Sequence, residues 1–436
     1  MVSEPDTSDA AAVPCTAFRE PKYGGGGHTC YDDINCILHI NRKYSKISDV
    51  MNILFYSRHT FDPQFGGIER VSDMLATELA HRGHNVSALI LIADKASMVD
   101  TAYKVIHMPA SLQTDDEKKR FITKVISDNR IEIVINQYAL CYPETSLIPY
   151  GLNNCAFVSV LHSNPKLMLA NFNDMNKLLA RNKAERFVRI LLNPLLRLRY
   201  YNKRARYYQW LSSNSDAVVL QSSGYRHQFK ALGNAIAIPN PTVVETYGDF
   251  GEKEHIVLYV GRMDLPQKRM DKLLRVWACL QNDSRAKGWR LILVGDGPDL
   301  SAIKKIAKDL KLKDVSFEGR QNPTPYYKKA AFVCLTSNYE GFPMVLAEAI
   351  SHKCIPVSFD SYEAASDIIN DGVDGVLVKP FNINGYAERL AQLMGNEPKR
   401  VAMAENSYKK SNQFDLSTIA DKWEQLFRQL SKLGKR

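Results

Sequence analysis

Short apolar runs alternate with longer amphipathic stretches from residue 51 to the end of the chain. Apolar runs of four to seven residues are typical of buried strands, whereas apolar residues that recur every three to four positions are typical of helices. The pattern predicts strands at residues 51–56, 85–91, 131–136, 155–161, 217–220, 256–260, 290–295, 315–318, 332–335 and 355–358. Strands that alternate with helices in this way form parallel sheets covered on both faces, so we expect an α/β fold.

The alternation breaks once, in a polar segment that begins with the prolines of Ile238-Pro239-Asn240-Pro241. Two prolines without apolar periodicity are typical of a linker between domains. We therefore predict a first lobe at residues 51–240, a linker at 241–254 and a second lobe at 255–412. The last region, 413–436, contains an amphipathic stretch at 416–433 that predicts a final helix.

Residues 1–50 differ from the rest, since they show no lasting periodicity and include a run of four glycines. Such composition predicts a disordered N-terminal extension. The whole chain is 45% hydrophobic and 24% charged, which is typical of a folded globular protein. It has no apolar run of membrane-spanning length, no signal-peptide pattern and no paired cysteine motif among its eight cysteines, so we expect reduced thiols and a cytoplasmic protein.

The net charge of +10 is concentrated in one segment. Residues 164–210 contain eleven lysines and arginines against two acidic residues, which gives +9 of that total. Basic residues alternate there with leucines and aromatics, a pattern that suits the surface of an anionic membrane. The alternative is a solvated helical surface whose long basic side chains cover apolar neighbours. Nucleic-acid binding is disfavoured because the remaining chain adds no basic face.

The stretch from Ser337 to Ile350 carries two carboxylates on a predicted strand, loop and helix. Glu340 falls in the loop and Glu348 about one turn into the helix, with Pro343 predicted as the first helical residue. Each ionised carboxylate could accept hydrogen bonds from two vicinal hydroxyls, and the free amides of the helix N-terminus could bind phosphate or hydroxyl groups. A glutamate near a helix N-terminus can also simply compensate the helix dipole.

The string Glu-Gly-Phe-Pro-Met-Val-Leu, with its E-x7-E spacing, resembles the signature of retaining glycosyltransferases of family 4, which have the GT-B fold. The resemblance covers Met51 to about Leu433 and is strongest in the second lobe. It implies two Rossmann-like, doubly wound lobes that face a cleft, with a C-terminal helix that crosses back to the first lobe. One departure is His352-Lys353-Cys354, where the family usually has a glycine that ends the helix.

Two further motifs of the first lobe match the same family. Gly66 and Gly67 follow the first strand, and adjacent glycines let a backbone approach a ligand closely. The resemblance implies that the Gly-Gly-x-Glu-Arg motif lies near the donor phosphates and the acceptor cleft. His162 follows the strand at 155–161, and the resemblance implies that it lies beside the transferred sugar.

Two cations of the second lobe flank a predicted turn after its first strand. Arg262 follows Gly261, and Lys268 comes six residues later. An arginine and a lysine so placed could bind a diphosphate, and the resemblance implies this role, with Arg269 as a second candidate. The resemblance also places Arg320 at the border of the nucleobase. An oxidoreductase is disfavoured because Gly295-Asp296-Gly297-Pro298 is not a complete dinucleotide fingerprint.

The resemblance implies a nucleotide diphospho-sugar donor, with Glu348 on the ribose and Arg262 and Lys268 on the diphosphate. Glu340 and the amides of Gly341 and Phe342 would bind the sugar. The catalytic residues that the resemblance implies are therefore Arg262, Lys268, Glu340 and His162. No metal or cofactor is expected, since no convincing Asp-x-Asp loop is present.

The acceptor implied is a glycan or a lipid-linked sugar of cell-envelope polysaccharide biosynthesis. With the basic segment, this predicts a cytoplasmic protein that contacts the membrane peripherally. Two alternatives stay open: a sugar-nucleotide epimerase of the same fold, whose acid and base residues we do not identify, and a non-catalytic relative that binds membranes.

Overall fold

A computed structural model describes residues 50–62, 66–92, 101–167, 169, 172, 180–244 and 252–433. The predicted N-terminal extension therefore lies outside the described residues, apart from Val50. The described chain contains two parallel sheets covered by helices, which confirms the expected two-lobed α/β fold.

The first lobe is built on a seven-stranded parallel sheet of order β3-β2-β1-β4-β5-β6-β7. Its strands are β1 (Asn52–Ser57), β2 (Asn85–Ile90), β3 (Lys104–His107), β4 (Ile133–Asn136), β5 (Ala156–Leu161), β6 (Ala217–Leu220) and β7 (Ile236–Ala237). Its helices are α1 (Gly67–His81), α2 (Asp115–Asp128), α3 (Tyr142–Thr145), α4 (Lys183–Leu191) and α5 (Asn193–Asn214). Two 3-10 turns, Ser223–Gln228 and Lys230–Leu232, connect β6 to β7.

The second lobe is built on a six-stranded parallel sheet of order β10-β9-β8-β11-β12-β13. Its strands are β8 (Glu254–Val260), β9 (Arg290–Val294), β10 (Val315–Gly319), β11 (Ala330–Leu335), β12 (Ile355–Phe359) and β13 (Val376–Val378). Its helices are α6 (Leu265–Lys268), α7 (Met270–Leu280), α8 (Leu300–Asp309), α9 (Thr324–Lys329), α10 (Met344–Ser351), α11 (Ala364–Ile368), α12 (Ile383–Met394) and α13 (Glu397–Ser411). The strand β8 begins at Glu254, one residue before the predicted start of this lobe.

The last helix, α14 (Leu416–Leu433), belongs by packing to the first lobe. Its buried Ile419, Trp423 and Phe427 lie in one apolar cluster with β1, β2 and α1. Arg82, directly after α1, also pairs with Asp421 at 2.5 Å. Burying each of these large side chains contributes roughly 1.5–3 kcal/mol, so the crossing helix that we expected is held mainly by apolar packing.

From residue 183 onward the basic segment folds as two helices, α4 and α5, which meet at Leu192 and are called here the basic helix pair. Pro194 lies in the first turn of α5, where its missing N–H costs nothing. The second half of α5 is anchored by the buried Tyr208 and Leu211. Eight large apolar side chains nearer the start of the pair are exposed: Phe187, Val188, Ile190, Leu191, Leu192, Leu195, Leu198 and Tyr201.

Three smaller features bear on the predictions from sequence. Within the described chain, none of the helices is both long and apolar enough to cross a membrane. The five cysteines that the structure describes are free thiols. Lys353, just after the end of α10, adopts a left-handed backbone with φ 55°, a conformation that glycine takes more readily than lysine.

Candidate functional site

The loop that follows β11 carries the E-x7-E segment and contacts the first lobe at the carboxyl end of β5. The segment begins after β11, passes through a loop that contains Glu340, and enters α10 at Met344. Pro343 precedes the helix with φ −78° and ψ 84°, so the prediction that it is the first helical residue is wrong by one position. The extended ψ of Pro343 turns the chain sharply before the helix begins.

Glu340 is buried and forms an ion pair with Lys268. The Lys268 Nζ atom lies 2.7 Å from Glu340 Oε1, and the same oxygen accepts a 2.6 Å hydrogen bond from the Ser337 hydroxyl. The Gln267 side-chain amide donates to the other carboxylate oxygen at 3.4 Å. A carboxylate that is only 5% exposed needs such partners, because an unpaired buried charge is strongly unfavourable.

Lys268 reaches Glu340 because the loop after β8 is tied to the loop after β11. Asp264 caps the short helix α6 by accepting the Gln267 N–H at 3.0 Å. The Asn338 N–H then donates to the Gln267 carbonyl at 2.7 Å. These two contacts hold the backbone of α6, which carries Lys268, against the E-x7-E loop.

Arg262 and Arg269 do not join this pair. The Arg262 guanidinium donates to Asp264 at 2.6 Å and its side chain is 61% exposed, so it lies at the rim of the cleft. Arg269 has a left-handed backbone and pairs with Asp271 at 2.9 Å. Lys268 rather than Arg269 is therefore the cation that meets Glu340.

Gly295 allows its loop to approach the loop at Gly261 closely in the second lobe. Gly261 has φ 150°, and a Cβ atom placed on Gly295 would lie 1.9 Å from the Gly261 carbonyl oxygen. Neither loop could approach the other so closely with a side chain at Gly295. Arg320 follows β10 at the same sheet edge and is exposed.

Glu348 is buried in α10 and accepts hydrogen bonds at both carboxylate oxygens. Arg70 of α1 pairs with one oxygen from the opposite lobe, and the Tyr327 hydroxyl donates to the other at 2.7 Å. The ion pair joins the Gly-Gly-x-Glu-Arg motif directly to the E-x7-E motif. Arg70 stands in that motif, but the sequence did not predict that it pairs with Glu348.

The first lobe also meets the E-x7-E loop through its backbone. A Cβ atom on Gly341 would lie 1.9 Å from the carbonyl oxygen of His162, at the end of β5. The buried Tyr225 hydroxyl lies 2.8 Å from the Glu340 carbonyl and 2.9 Å from that of Gly341. Phe342 is 6% exposed, and its ring lies 5.4 Å from that of Phe414. Nothing in the sequence pattern indicated the role of Tyr225.

His162 is held in the neutral form by its surroundings. One ring nitrogen contacts the side-chain oxygen of Gln137, at the end of the neighbouring strand β4. Burial lowers the pKa of His162 to about 4, against a smaller opposing effect of the Asn240 side chain. At neutral pH the imidazole can therefore donate or accept a hydrogen bond without carrying charge.

Gly66 and Gly67 lie at the start of α1, opposite the second lobe's loops. Gly66 has an extended backbone, and a Cβ atom there would lie 2.6 Å from the Glu69 carboxylate. Gly67 is the first helical residue, with open space where a Cβ atom would be. Glu69 is buried and accepts a hydrogen bond from the Tyr138 hydroxyl. This carboxylate stands in the quoted motif but was not selected from the sequence.

The described part of the chain contains no group of three or more His, Cys, Asp or Glu side chains arranged to hold a metal ion.

The architecture and this site define the fold class. A crystal structure of TarM matches with a TM-score of 0.70 at 16% identity, covering 87% of this chain and 99% of that one. A second structure is that of a mutant S. aureus TarM in complex with Fondaparinux, alpha-GlcNAc-glycerol and UDP. It matches with a TM-score of 0.57 at 21% identity, covering 72% of this chain and 58% of that one. The protein has the GT-B fold of glycosyltransferases.

The sequence comparison points to the second lobe in particular. Residues 248–410 match the family model for Glycosyl transferases group 1. An exopolysaccharide phosphotransferase of Streptomyces coelicolor, SCO2592, is 31% identical over 204 residues, which cover 46% of this chain and 21% of that protein. A relative from Campylobacter jejuni is the GalNAc-alpha-(1->4)-GalNAc-alpha-(1->3)-diNAcBac-PP-undecaprenol alpha-1,4-N-acetyl-D-galactosaminyltransferase. It is 31% identical over 173 residues, which cover 39% of this chain and 47% of that protein. The chain thus spans from about a fifth to about half of the first curated relatives it matches.

Proposed function

We propose that the protein is a metal-independent, retaining glycosyltransferase of family 4. It transfers a sugar from a nucleotide diphospho-sugar to a glycan or lipid-linked acceptor. The observation that carries the proposal is the buried Lys268–Glu340 pair, which faces the first lobe at the point where Gly341 meets His162. The match of residues 248–410 to Glycosyl transferases group 1 supports it.

The donor would bind mainly to the second lobe. Glu348 would accept the ribose hydroxyls, for which one of its present partners, Arg70 or Tyr327, must give way. Glu340 and the amides of Gly341 and Phe342 would bind hydroxyls of the sugar. The TarM complex that matches this fold contains UDP, which supports a nucleotide in this cleft.

The diphosphate would lie between Lys268 and Arg262. When the bond between the anomeric carbon and the diphosphate oxygen breaks, negative charge gathers on the leaving group. Preorganised cations stabilise that charge more in the transition state than in the ground state, and removal of one such group typically lowers turnover by roughly 10²–10³-fold. Arg262 would leave Asp264 to reach the phosphate, since it is exposed at the rim.

The configuration at the anomeric carbon is retained if the acceptor attacks from the same face that the diphosphate leaves. The acceptor oxygen then bonds to the anomeric carbon, and its proton passes to the departing phosphate oxygen, so no side chain needs to act as nucleophile. The neutral His162 would contribute a hydrogen bond near the sugar rather than a charge.

The acceptor and the site of action follow from the relatives and from the surface. The Campylobacter relative acts on a glycan linked to PP-undecaprenol, which supports a lipid-linked acceptor of envelope polysaccharide biosynthesis. The exposed apolar residues of the basic helix pair would contact an anionic membrane, and we place the protein peripherally on its cytoplasmic face.

A thermal-shift panel of UDP-, GDP- and ADP-sugars tests the donor site. A ligand that binds only the folded protein raises its melting temperature as the ratio of concentration to Kd increases. We expect a shift with the sugars of one nucleotide, and a smaller shift in Glu348→Ala. Turnover of that donor should fall strongly in Lys268→Ala. A folded protein that responds to no nucleotide sugar would contradict the proposal.

A further inference from the structure

We propose that a groove between the basic helix pair and the mouth of the cleft binds the phosphorylated head of a lipid-linked acceptor. The inference rests on the proposed function and specifies where its acceptor binds. The groove has a volume of about 760 Å³ and is lined by both lobes. Lys166, Arg197 and Tyr201 come from the first lobe, and Ser361 and Glu363 from the second.

The groove adjoins the Lys268–Glu340 pair through two consecutive hydrogen bonds. The Ser361 hydroxyl in its wall donates to the Ser337 carbonyl at 2.7 Å, and the Ser337 hydroxyl donates to Glu340 at 2.6 Å. On the opposite side, the lining residue Asn164 is two residues from His162. A head group in the groove would therefore place the sugar attached to it close to the reacting carbon of the donor.

The groove carries a net positive charge, since two cations, Lys166 and Arg197, line it against a single carboxylate, Glu363. Among the described residues, no carboxylate pairs with Arg197, which is exposed on α5. The Lys166 ammonium lies 3.9 Å from Glu363, a distance that makes only a weak ion pair. Glu363 itself accepts a 2.6 Å hydrogen bond from Gln228. A guanidinium and an ammonium together suit phosphate oxygens, and repulsion by Glu363 would place the phosphate on the Arg197 side.

An apolar border argues for a lipid rather than a soluble sugar phosphate. Leu198 and Ile190 line the groove and are 57% and 47% exposed, and the other exposed apolar residues of the basic helix pair continue from them. A soluble ligand would leave this surface in water. A lipid diphosphate would cover it with its chain while its head entered the groove, which matches the amphipathic character of the site.

Vesicle binding of the full-length protein tests the inference without donor or turnover. Two kinds of phosphatidylcholine vesicle with equal surface charge are compared. One kind contains undecaprenyl diphosphate, and the other contains phosphatidylglycerol instead. We expect the wild type to bind the diphosphate vesicles about tenfold more tightly, since a charge-assisted hydrogen bond lost to water costs about that factor. The double variant Lys166→Ala/Arg197→Ala should lose this preference. The matched control Arg199→Ala/Lys203→Ala should weaken binding to both vesicle types equally.

The inference would be overturned by a wild type that does not distinguish the two vesicle types, or by a preference that survives in Lys166→Ala/Arg197→Ala. Equal loss of the preference in the control would also contradict it, because general attraction would then explain the effect. The measurement is independent of the donor experiment. If the wild type prefers the diphosphate vesicles and the double variant does not, the groove is supported even when no nucleotide sugar binds. In that case only the transferase proposal would be refuted.

Discussion

Gly341 of the second lobe lies so close to His162 of the first that a single carbon atom added to Gly341 would fall 1.9 Å from the His162 carbonyl oxygen. The two backbones therefore touch at the centre of the cleft, with no side chain between them. This contact fixes how closely the E-x7-E loop can approach the first lobe, and so how the sugar-binding and acceptor sides are positioned.

Gly341→Ala should consequently separate the lobes at this point. The clash is with backbone atoms, which cannot rotate away as a flexible side chain can, so we expect turnover to fall by about 100-fold, the loss that follows from small misplacement of reacting groups. Melting temperature should change much less, because each lobe keeps its own core. Gly233→Ala is a suitable control, since Gly233 has φ −57° and a Cβ atom there meets its nearest neighbour only at 3.4 Å. Unchanged turnover in Gly341→Ala would show that the closed arrangement is not the active one.

Tyr225→Phe should also weaken the contact between the first lobe and the E-x7-E loop, here by removing a hydrogen bond. The variant removes the hydroxyl that bonds to the Glu340 and Gly341 carbonyls and leaves both buried oxygens without it. Loss of a buried hydrogen bond of this kind costs about 1–3 kcal/mol, and we expect a stability loss in that range with lower affinity for the donor sugar. Denaturant unfolding and donor titration measure the two effects. Tyr142→Phe, a change at a tyrosine that is 54% exposed, provides the comparison.

The fold could be predicted from the sequence because it depends on local periodicity. Strands such as β5 and β11 are short apolar runs between polar turns, and their parallel order follows from the helices between them. The proximity of Lys268 and Glu340 could also be predicted, since both residues follow strands that end at the same sheet edge. Loops that follow adjacent parallel strands lie next to each other in the fold.

Contacts between the lobes were beyond the sequence. Arg70 and Glu348 are 278 residues apart and belong to different lobes, so no local pattern could pair them. The same is true of Tyr225 and the Glu340 carbonyl, 115 residues apart. Local backbone details were missed for another reason: Lys353 takes a left-handed conformation that its residue type disfavours, so residue preference alone does not predict it.

Lys268→Met should affect both chemistry and stability. Loss of the cation should lower turnover by about 10²–10³-fold, as for other groups that stabilise transition-state charge. It also leaves the buried Glu340 carboxylate without its charged partner, which costs about 3–5 kcal/mol. Adding Glu340→Gln should restore much of that stability but none of the activity. The exposed Lys287, changed to Met, controls for the lost charge. Additive stability losses in the two single variants would contradict direct pairing.

His162 should make stability depend on pH. Its pKa is about 4 in the folded protein and 6.5 for an ordinary histidine, so between these values the unfolded chain binds more protons. Stability must therefore fall as the pH is lowered through this window, by about 2 kcal/mol between neutral pH and about pH 4.5. His162→Gln removes this contribution, and the difference between the two proteins in urea unfolding isolates it from other titrating groups. Parallel pH profiles would show that the folded surroundings of His162 do not lower its pKa.

The exposed apolar residues of the basic helix pair lead to a last prediction, on membrane contact in general. Phe187, Leu191 and Leu195 are 69%, 70% and 67% exposed, in successive turns of the pair. Covering such a side chain with lipid stabilises binding by about 1 kcal/mol or more, so changing all three to serine should weaken binding to anionic vesicles by at least about 100-fold. The fold should persist, since the buried anchors Tyr208 and Leu211 are untouched. Val401→Ser, an exposed apolar change on α13, should leave vesicle binding as it is. If the triple variant sediments with vesicles as the wild type does, these residues serve another contact, and the basic side chains alone hold the protein at the membrane.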